Sequence, residues 1–102
     1  ENPYNKKVFD SFVFTGKNIK EIVCTNQNGE TSTIKVYDLN KLLQRVNIIE
    51  QDGDRFIGEV PLTAEYDYLR GFYVVAKING YPIDTEPVVL SELIFNVRKD
   101  LE

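Results

Sequence analysis

Apolar and polar residues alternate over much of the chain, and short glycine-containing turns interrupt the alternation. A period of two is that of a β-strand, whose successive side chains point to opposite faces of a sheet. The clearest case is the segment 68–78. One face carries Tyr68, Phe72, Val74, Ala76 and Ile78, and the other carries Leu69, Gly71, Tyr73, Val75 and Lys77. Because the second face is also largely apolar, we expect this strand either to lie centrally in its sheet or to meet a partner through that face.

Three dipeptides mark hairpin turns, namely Asn28-Gly29, Asp52-Gly53 and Asn79-Gly80. Each lies between runs that are rich in Val, Ile or aromatic residues. Glycine supplies the positive φ that the tight turns of β-hairpins require. Each dipeptide therefore predicts an antiparallel connection, and three hairpins require at least six strands.

The whole pattern predicts seven strands, with turn residues at the spacing of a β-sandwich rather than of alternating strands and helices. The predicted strands are Val8 to Thr15, Ile19 to Thr25, Thr31 to Tyr37, Leu43 to Glu50, Arg55 to Val60, Tyr68 to Ile78 and Glu86 to Val97. We therefore expect an all-β fold with about seven antiparallel strands in two sheets.

Two segments allow a helix as well. Asp38 is a suitable N-cap for Leu39, Leu42, Leu43 and Val46, whose spacing is helical, and we predict a turn of helix within 38–46 that leads into the following strand. Ser91 is a suitable N-cap for a helix over 91–100. Here Val, Ile and Phe dominate, so we predict a strand.

Composition supports the all-β prediction and narrows the chemistry. The 102 residues include 11 Val, 9 Ile and 6 Thr but only 2 Ala, a balance that favours strands over helices. Histidine is absent and cysteine occurs once, which excludes an internal disulfide, a His/Cys zinc site and a catalytic triad from this chain. We expect Cys24, in an Ile-Val-Cys-Thr run, to be a small buried hydrophobe.

Length and charge set further limits. One domain is expected for 1–102. Because the chain begins at Glu1 and contains no Met, we expect it to be excised from a longer protein.

The net charge of −4 provides no basic surface for nucleic acid. The longest apolar run, Pro87 to Leu90 and Leu93 to Phe95, is interrupted by Ser91 and Glu92, and is far shorter than the roughly 18 residues of a membrane span.

The stretch from Leu62 to Tyr68, followed by Arg70 and alternating apolar residues, resembles the corner that opens strand F of immunoglobulin-like and fibronectin type III sandwiches. The resemblance implies a structural role for Leu62 and Tyr68. The Tyr ring would fill the end of the core above Leu62, and its hydroxyl would bond to the backbone a few residues upstream.

A longer frame runs from Ile19 to Leu90 and combines the Asn-Gly turn, an Ile-Lys-Val-Tyr strand, the Tyr-x-Arg start at Tyr68 and the Thr85-Glu86-Pro87-Val88 strand. It is similar to the immunoglobulin-like C-terminal module of bacterial PHP-type metal-dependent phosphoesterases. The resemblance implies an accessory module, with the catalytic chemistry in a neighbouring domain. This chain has no His to receive that family's metal ligands, so neither a metal site nor a cofactor is carried over.

Two ligand classes remain as alternatives. Asp52-Gly53-Asp54, flanked by Glu50 and Glu59, is the densest group of carboxylates and offers oxygen ligands to Ca²⁺, although the EF-hand pattern fails at Phe56. Exposed Tyr66, Tyr73 and Tyr81 would suit stacking on sugar rings or anchoring a protein partner. Carbohydrate-binding surfaces usually include Trp, which this chain lacks.

Taken together, the sequence predicts a non-catalytic accessory or interaction module of a larger bacterial protein. Its partner would be a neighbouring domain of the same chain or another protein, with the phosphoesterase domain as the specific candidate. We expect the contact face to include Tyr73, Val75, Tyr66 and Tyr81. The alternative is a β-sandwich module that binds carbohydrate or calcium.

Overall fold

The computed structural model describes residues 5–38, 44–45, 47–80 and 87–100. These residues form ten strand segments, and none of them is helical. The segments are β1 (Lys7–Lys17), β2 (Ile19–Asn26), β3 (Thr31–Lys35), β4 (Tyr37–Asp38), β5 (Gln44–Arg45), β6 (Ile48–Asp52), β7 (Arg55–Glu59), β8 (Arg70–Gly71), β9 (Val74–Gly80) and β10 (Val89–Lys99).

The strands form two main antiparallel sheets. The first sheet has the order β10-β1-β7-β6, with β8 also paired to β1, and the second has the order β3-β2-β9. A two-residue ladder joins β4 to β5. The all-β prediction with two antiparallel sheets is therefore confirmed.

The core lies between the two sheets. Phe12 and Phe14 of β1 face Ile22 of β2 and Ile34 of β3, and all four are fully buried. The rings of Phe14 and Phe56 stack with centroids 4.7 Å apart. Burial of a large apolar side chain contributes roughly 1.5–3 kcal/mol, so this aromatic layer is a main source of stability.

The chain passes from the first sheet to the second within one residue. Asn18, between β1 and β2, has a φ of 61°, a left-handed conformation that Asn tolerates better than most residues. Just before it, Gly16 leaves no room for a side chain, because an added Cβ would lie 2.5 Å from the Val89 carbonyl oxygen and 2.6 Å from Ile19 Cδ1. This corner places β2 over β1 and brings the two layers together.

A buried ion cluster fixes the ends of β1, β8 and β10. The Asp100 carboxylate is fully buried, 2.8 Å from Arg70 Nη1 and 3.8 Å from Lys6 Nζ. Arg70 Nη2 also lies 3.4 Å from the exposed Asp67 carboxylate. The pattern of hydrophobic positions did not predict this cluster, since its members are distant in sequence and only the strand pairing brings them together.

Three predicted strands are each broken in two, which accounts for ten segments where seven were predicted. The predicted strands 31–37, 43–50 and 68–78 become β3 with β4, β5 with β6, and β8 with β9. The predicted helical turn within 38–46 falls mostly on 39–43 and 46, outside the described residues. The strand prediction for 91–100 is confirmed by β10, which begins at Val89 rather than at the predicted Glu86.

The break within 68–78 moves the chain from one sheet to the other. At Phe72 the N–H donates to Gln27 Oε1 over 3.1 Å and the carbonyl accepts from Lys7 Nζ over 3.3 Å, so side chains replace the strand partners there. Before the break Leu69 is the buried residue, and after it Val74, Ala76 and Ile78 pack on the core. The single predicted face is therefore wrong for its first half and confirmed for its second.

Two of the three predicted hairpins are confirmed. Gly29 and Gly53 have φ values of 80° and 60° and join β2 to β3 and β6 to β7. The hairpin at Asn79-Gly80 is wrong, because Gly80 is the last residue of β9 and pairs with Ile19 while β10 lies in the other sheet. Glycine is needed there for space, since a Cβ would collide with the Val88 side chain.

Candidate functional site

The outer surface of the second sheet presents a row of β-branched residues, Val and Thr. Opposite pairs across β9, β2 and β3 place Val75 beside Thr25 and Thr25 beside Thr31, and place Val23 beside Thr33. Val75 is 62% exposed, and Tyr73, directly before β9, is 54% exposed. We call this surface the contact face and define it by Tyr73, Val75, Val23, Thr25, Thr31 and Thr33.

Charged and polar groups border one end of the contact face. Asn79 Nδ2 donates to Glu21 Oε2 over 3.0 Å, and Glu21 lies opposite Lys35 in the β2–β3 ladder. The exposed Lys77 lies between this group and Val75 on β9. Lys77 also lies opposite Val23, so the face combines β-branched side chains with a charged border, and a polar rim is common at protein contact surfaces.

The four predicted contact residues do not all lie together. Tyr73 and Val75 belong to the contact face, and their exposure is as predicted. Tyr66 is 86% exposed but lies in the loop between β7 and β8, at a φ of 60° in a turn closed by its N–H bond to the Thr63 carbonyl over 2.9 Å. Tyr81 lies outside the described residues.

The predicted corner residues are exposed. Leu62 and Tyr68 are 48% and 42% exposed, so the expectation that the Tyr68 ring fills the end of the core is wrong. The buried residue is the next one, Leu69, whose carbonyl accepts from the Phe9 N–H over 2.9 Å and which is thereby held against β1. The Tyr68 ring instead lies 4.9 Å from the Arg98 guanidinium, a cation–π contact on the surface.

These exposed residues line a cleft of about 470 Å³ on the first sheet. Its lining comprises Asp10, Asn47, Ile48, Ile49, Glu59, Val60, Pro61, Leu62 and Tyr68. Asp10 is located at a register shift in β1, between Phe9 and Ser11, and irregularities of this type redirect side chains. Asp10 Oδ2 lies 3.9 Å from Arg98 Nε. No sequence motif marks this cleft, because its residues come from four separate segments.

The cleft combines an aromatic ring, an amide and two carboxylates. The carboxylates accept hydrogen bonds from ligand hydroxyls, and the amide both accepts and donates them. The Tyr68 ring, Ile49 and Leu62 would pack against the apolar face of such a ligand. The chemistry suits a small polyhydroxylated ligand.

The turn predicted as a calcium candidate is held by protein contacts. Gln51 Nε2 donates to the Gly53 carbonyl over 3.1 Å, and Asp54 Oδ2 lies 3.7 Å from Lys17 Nζ. Within the part of the chain that the structure describes, no three His, Cys, Asp or Glu residues come together as a potential metal site.

Cys24 is a core residue, as predicted. It is fully buried with Ile22 and Ile34 as members of the same apolar cluster, and burial raises the pKa of its thiol to about 11. A thiol with this pKa remains protonated and unreactive near neutral pH.

Comparisons with protein-family models, with curated proteins and with solved structures give no significant match. Among the described residues, the structure contains no helix with the length and apolar character needed to cross a membrane.

Proposed function

We propose that this domain is a non-catalytic interaction module of a larger bacterial protein and that it buries the contact face against a neighbouring domain. The observation that carries this proposal is the exposure of Tyr73 and Val75, at 54% and 62%, beside a row of β-branched residues on the outer surface of the second sheet.

The side chains of the contact face suit association. Val and Thr have few rotamers, so little conformational entropy is lost when they are covered. A Tyr at the margin combines a large apolar ring with a hydroxyl that bonds to the partner, which is why Tyr is common among residues that dominate binding energy. Tyr73 is therefore the expected anchor, with Val75 close to it on the edge strand β9.

The size of the contact face favours a tethered partner. Three strands spaced about 4.8 Å apart are about 14 Å wide, and the seven residues of β9 extend about 23 Å. The outer surface of the second sheet, with the polar border included, therefore offers roughly 300 Å² per side, close to the lower limit of interfaces between domains of one chain and below the roughly 800 Å² per partner of independent complexes.

The resemblance described above suggests which neighbour this is. An immunoglobulin-like module that packs on a PHP-type metal-dependent phosphoesterase domain would supply stability and orientation, not catalytic groups. The architecture of two antiparallel sheets supports this candidate, whereas the exposed Tyr68 departs from the corner that the resemblance implies. The immunoglobulin-like identity is part of the same proposal.

The test compares one substitution in two contexts. Val75→Asp is introduced into the 102-residue chain and into the complete gene product that contains it, and melting is followed by calorimetry. We expect little change in the melting temperature of the isolated chain, because Val75 is already exposed, and a clear decrease for this domain in the gene product. Ile49→Asp, at an exposed residue of β6 in the other sheet, is the matched control. Equal effects of Val75→Asp in the two contexts would contradict the proposal.

A second candidate function rests on the cleft. Its Tyr68, Asn47, Asp10 and Glu59 side chains favour a carbohydrate module as the alternative. Titration of the chain with a glycan panel, and separately with Ca²⁺, is followed by amide chemical shifts. Saturable shifts at the cleft with a glycan would support this alternative, and saturable shifts at Asp52 to Asp54 with Ca²⁺ would support a calcium module. No shifts with either would favour the interaction module.

A further inference from the structure

The longest edge of the first sheet is β10. Ten of its eleven residues pair with β1 on one side, and none of the other described strands pairs with it on the opposite side. A long strand edge offers a row of backbone N–H and C=O groups to another strand. This edge is distinct from the contact face, which belongs to the second sheet.

The hydrogen-bonding groups of this edge belong to odd-numbered residues. In β1 the Gly16 N–H and the Asp10 carbonyl bond toward the β7 side, so the intervening odd residues of β1 bond to β10. Val13 pairs with Ile94 and Thr15 with Glu92. Because bonding directions alternate along a strand, the N–H and C=O groups of Leu93, Phe95 and Val97 point to the open edge.

The same three residues are the apolar residues that β10 contributes to the core, and they are only partly buried. By contrast, their neighbours Phe12 and Phe14 on β1 are fully buried. The core is therefore incompletely covered along the open edge of β10. A further strand beside β10 would complete the cover if it presented apolar residues at alternate positions.

The exposed face of β10 indicates what that strand is. Glu92 and Arg98 lie on this face, and each is three residues along the sequence from Phe95, which is on the core side. If two copies of β10 pair antiparallel about a two-fold axis at Phe95, each Glu92 faces Arg98 of the other copy. The same register places Leu93 opposite Val97 and Phe95 opposite Phe95 on the core side. A strand that complements itself in charge and in apolar pattern at one register fits a second copy of this chain.

We propose that two copies of this chain associate through β10, in that register, and join their first sheets into one continuous sheet. Glu92 and Arg98 would be opposed at positions that do not exchange backbone hydrogen bonds, where side chains approach most closely. Arg98 contacts Tyr68 and Asp10 on the β1 side of this face, so in the dimer its guanidinium would exchange these surface contacts for Glu92 of the other copy. The regular part of the edge ends just beyond Glu92. There the pairing of β10 with β1 skips Ser91, because Glu92 and Leu90 pair with consecutive residues of β1.

The test uses charge reversal and its compensation. Sedimentation equilibrium of the 102-residue chain from about 10 µM to about 1 mM is expected to show a monomer–dimer equilibrium. Glu92→Arg alone and Arg98→Glu alone each place like charges opposite each other twice, so each is expected to weaken the dimer by about tenfold or more. The double variant restores opposite charges and is expected to recover most of the wild-type affinity. Lys35→Glu, an exposed reversal on β3 in the other sheet, is the matched control and is expected to have no effect.

A second measurement locates the contact independently of the variants. The amides of Leu93, Phe95 and Val97 are expected to exchange hydrogen more slowly as the protein concentration rises, whereas edge amides of β9 are expected to show no such dependence. A wild-type chain that stays monomeric over the full range would overturn the proposal. So would a dimer whose affinity is unchanged by both single reversals, or a double variant as weak as the singles with circular dichroism showing that it is folded.

Discussion

Alkaline pH is expected to destabilise this domain through Cys24. The thiol is fully buried in the core, and burial raises its pKa from 9.0 to about 11. In the unfolded chain the thiol ionises near its ordinary pKa. Between the two values the unfolded state loses this proton while the folded state keeps it, so the equilibrium shifts toward the unfolded state as the pH rises.

The size of the effect follows from the separation of the two pKa values. Each pH unit between about 9 and about 11 changes the unfolding equilibrium by up to tenfold, so the full contribution is about a hundredfold, or about 3 kcal/mol. Below about pH 8 this contribution to stability is fully present. It is lost as the pH rises from about 9 toward 11 and then levels off. For a domain of this size, with a total stability of roughly 5–15 kcal/mol, the loss is readily measured.

The assay is urea unfolding of the wild type and of Cys24→Ala at a series of pH values from 7 to about 11. The loss of the sulfur atom lowers the free energy of unfolding of the variant by the same amount at every pH. Effects of pH that do not involve Cys24 are common to both proteins and cancel in the difference. The difference in unfolding free energy between the two proteins is expected to be flat below about pH 8 and to change by about 2 kcal/mol, against the wild type, by about pH 11. A difference that stays constant across the whole series would refute the reasoning.

Three substitutions test the packing by urea unfolding. Asp100→Asn removes the fully buried charge that meets Arg70 and is expected to cost about 3 kcal/mol, because the arginine loses its buried partner. Phe14→Ala, in the stacked aromatic layer, is expected to cost roughly 3–5 kcal/mol, compared with roughly 1 kcal/mol or less for the exposed Phe72→Ala. Gly58→Ala is expected to cost roughly 3 kcal/mol, since its Cβ would collide with the Asn47 carbonyl oxygen and lie 2.7 Å from Phe12 Cζ.

Each of these predictions has a clear contrary result. Asp100→Asn with wild-type stability would mean that the ion cluster is not an important contribution. Equal costs for Phe14→Ala and Phe72→Ala would contradict the placement of the core. A Gly58→Ala variant as stable as the wild type would contradict the close approach of the Asn47 backbone to Gly58.

The sequence pattern predicted the structure correctly where residues adjacent in the chain determine it. The Gly29 and Gly53 hairpins depend on a positive φ within a two-residue turn, which glycine signals directly. Gly80 has the same sequence signal but serves a different purpose, close packing against Val88. The sequence alone does not distinguish these roles, because the collision arises between segments brought together by the fold.

Breaks in strands were the features that local patterns missed. The chain leaves the first sheet at Phe72 because the distant side chains of Lys7 and Gln27 satisfy its backbone. That break changes which residues point inward, so Leu69 is buried and Tyr68 is exposed.

The candidate site was predicted in part. Alternation in 68–78 identified Tyr73 and Val75 as outward-facing, which the structure confirms. The Thr and Val residues beside them follow from the β2–β9 register, which the sequence did not specify. The cleft was not predicted, because it depends on the register shift near Asp10 and on contributions from four segments.

The most direct test of the proposed function is hydroxyl-radical footprinting of Tyr73 in two forms of the protein, the 102-residue chain and the complete gene product. If the contact face is buried against a neighbouring domain, Tyr73 is oxidised several-fold more slowly in the gene product, while Tyr68 in the cleft keeps the same rate. Equal oxidation of Tyr73 in both forms would contradict the proposal.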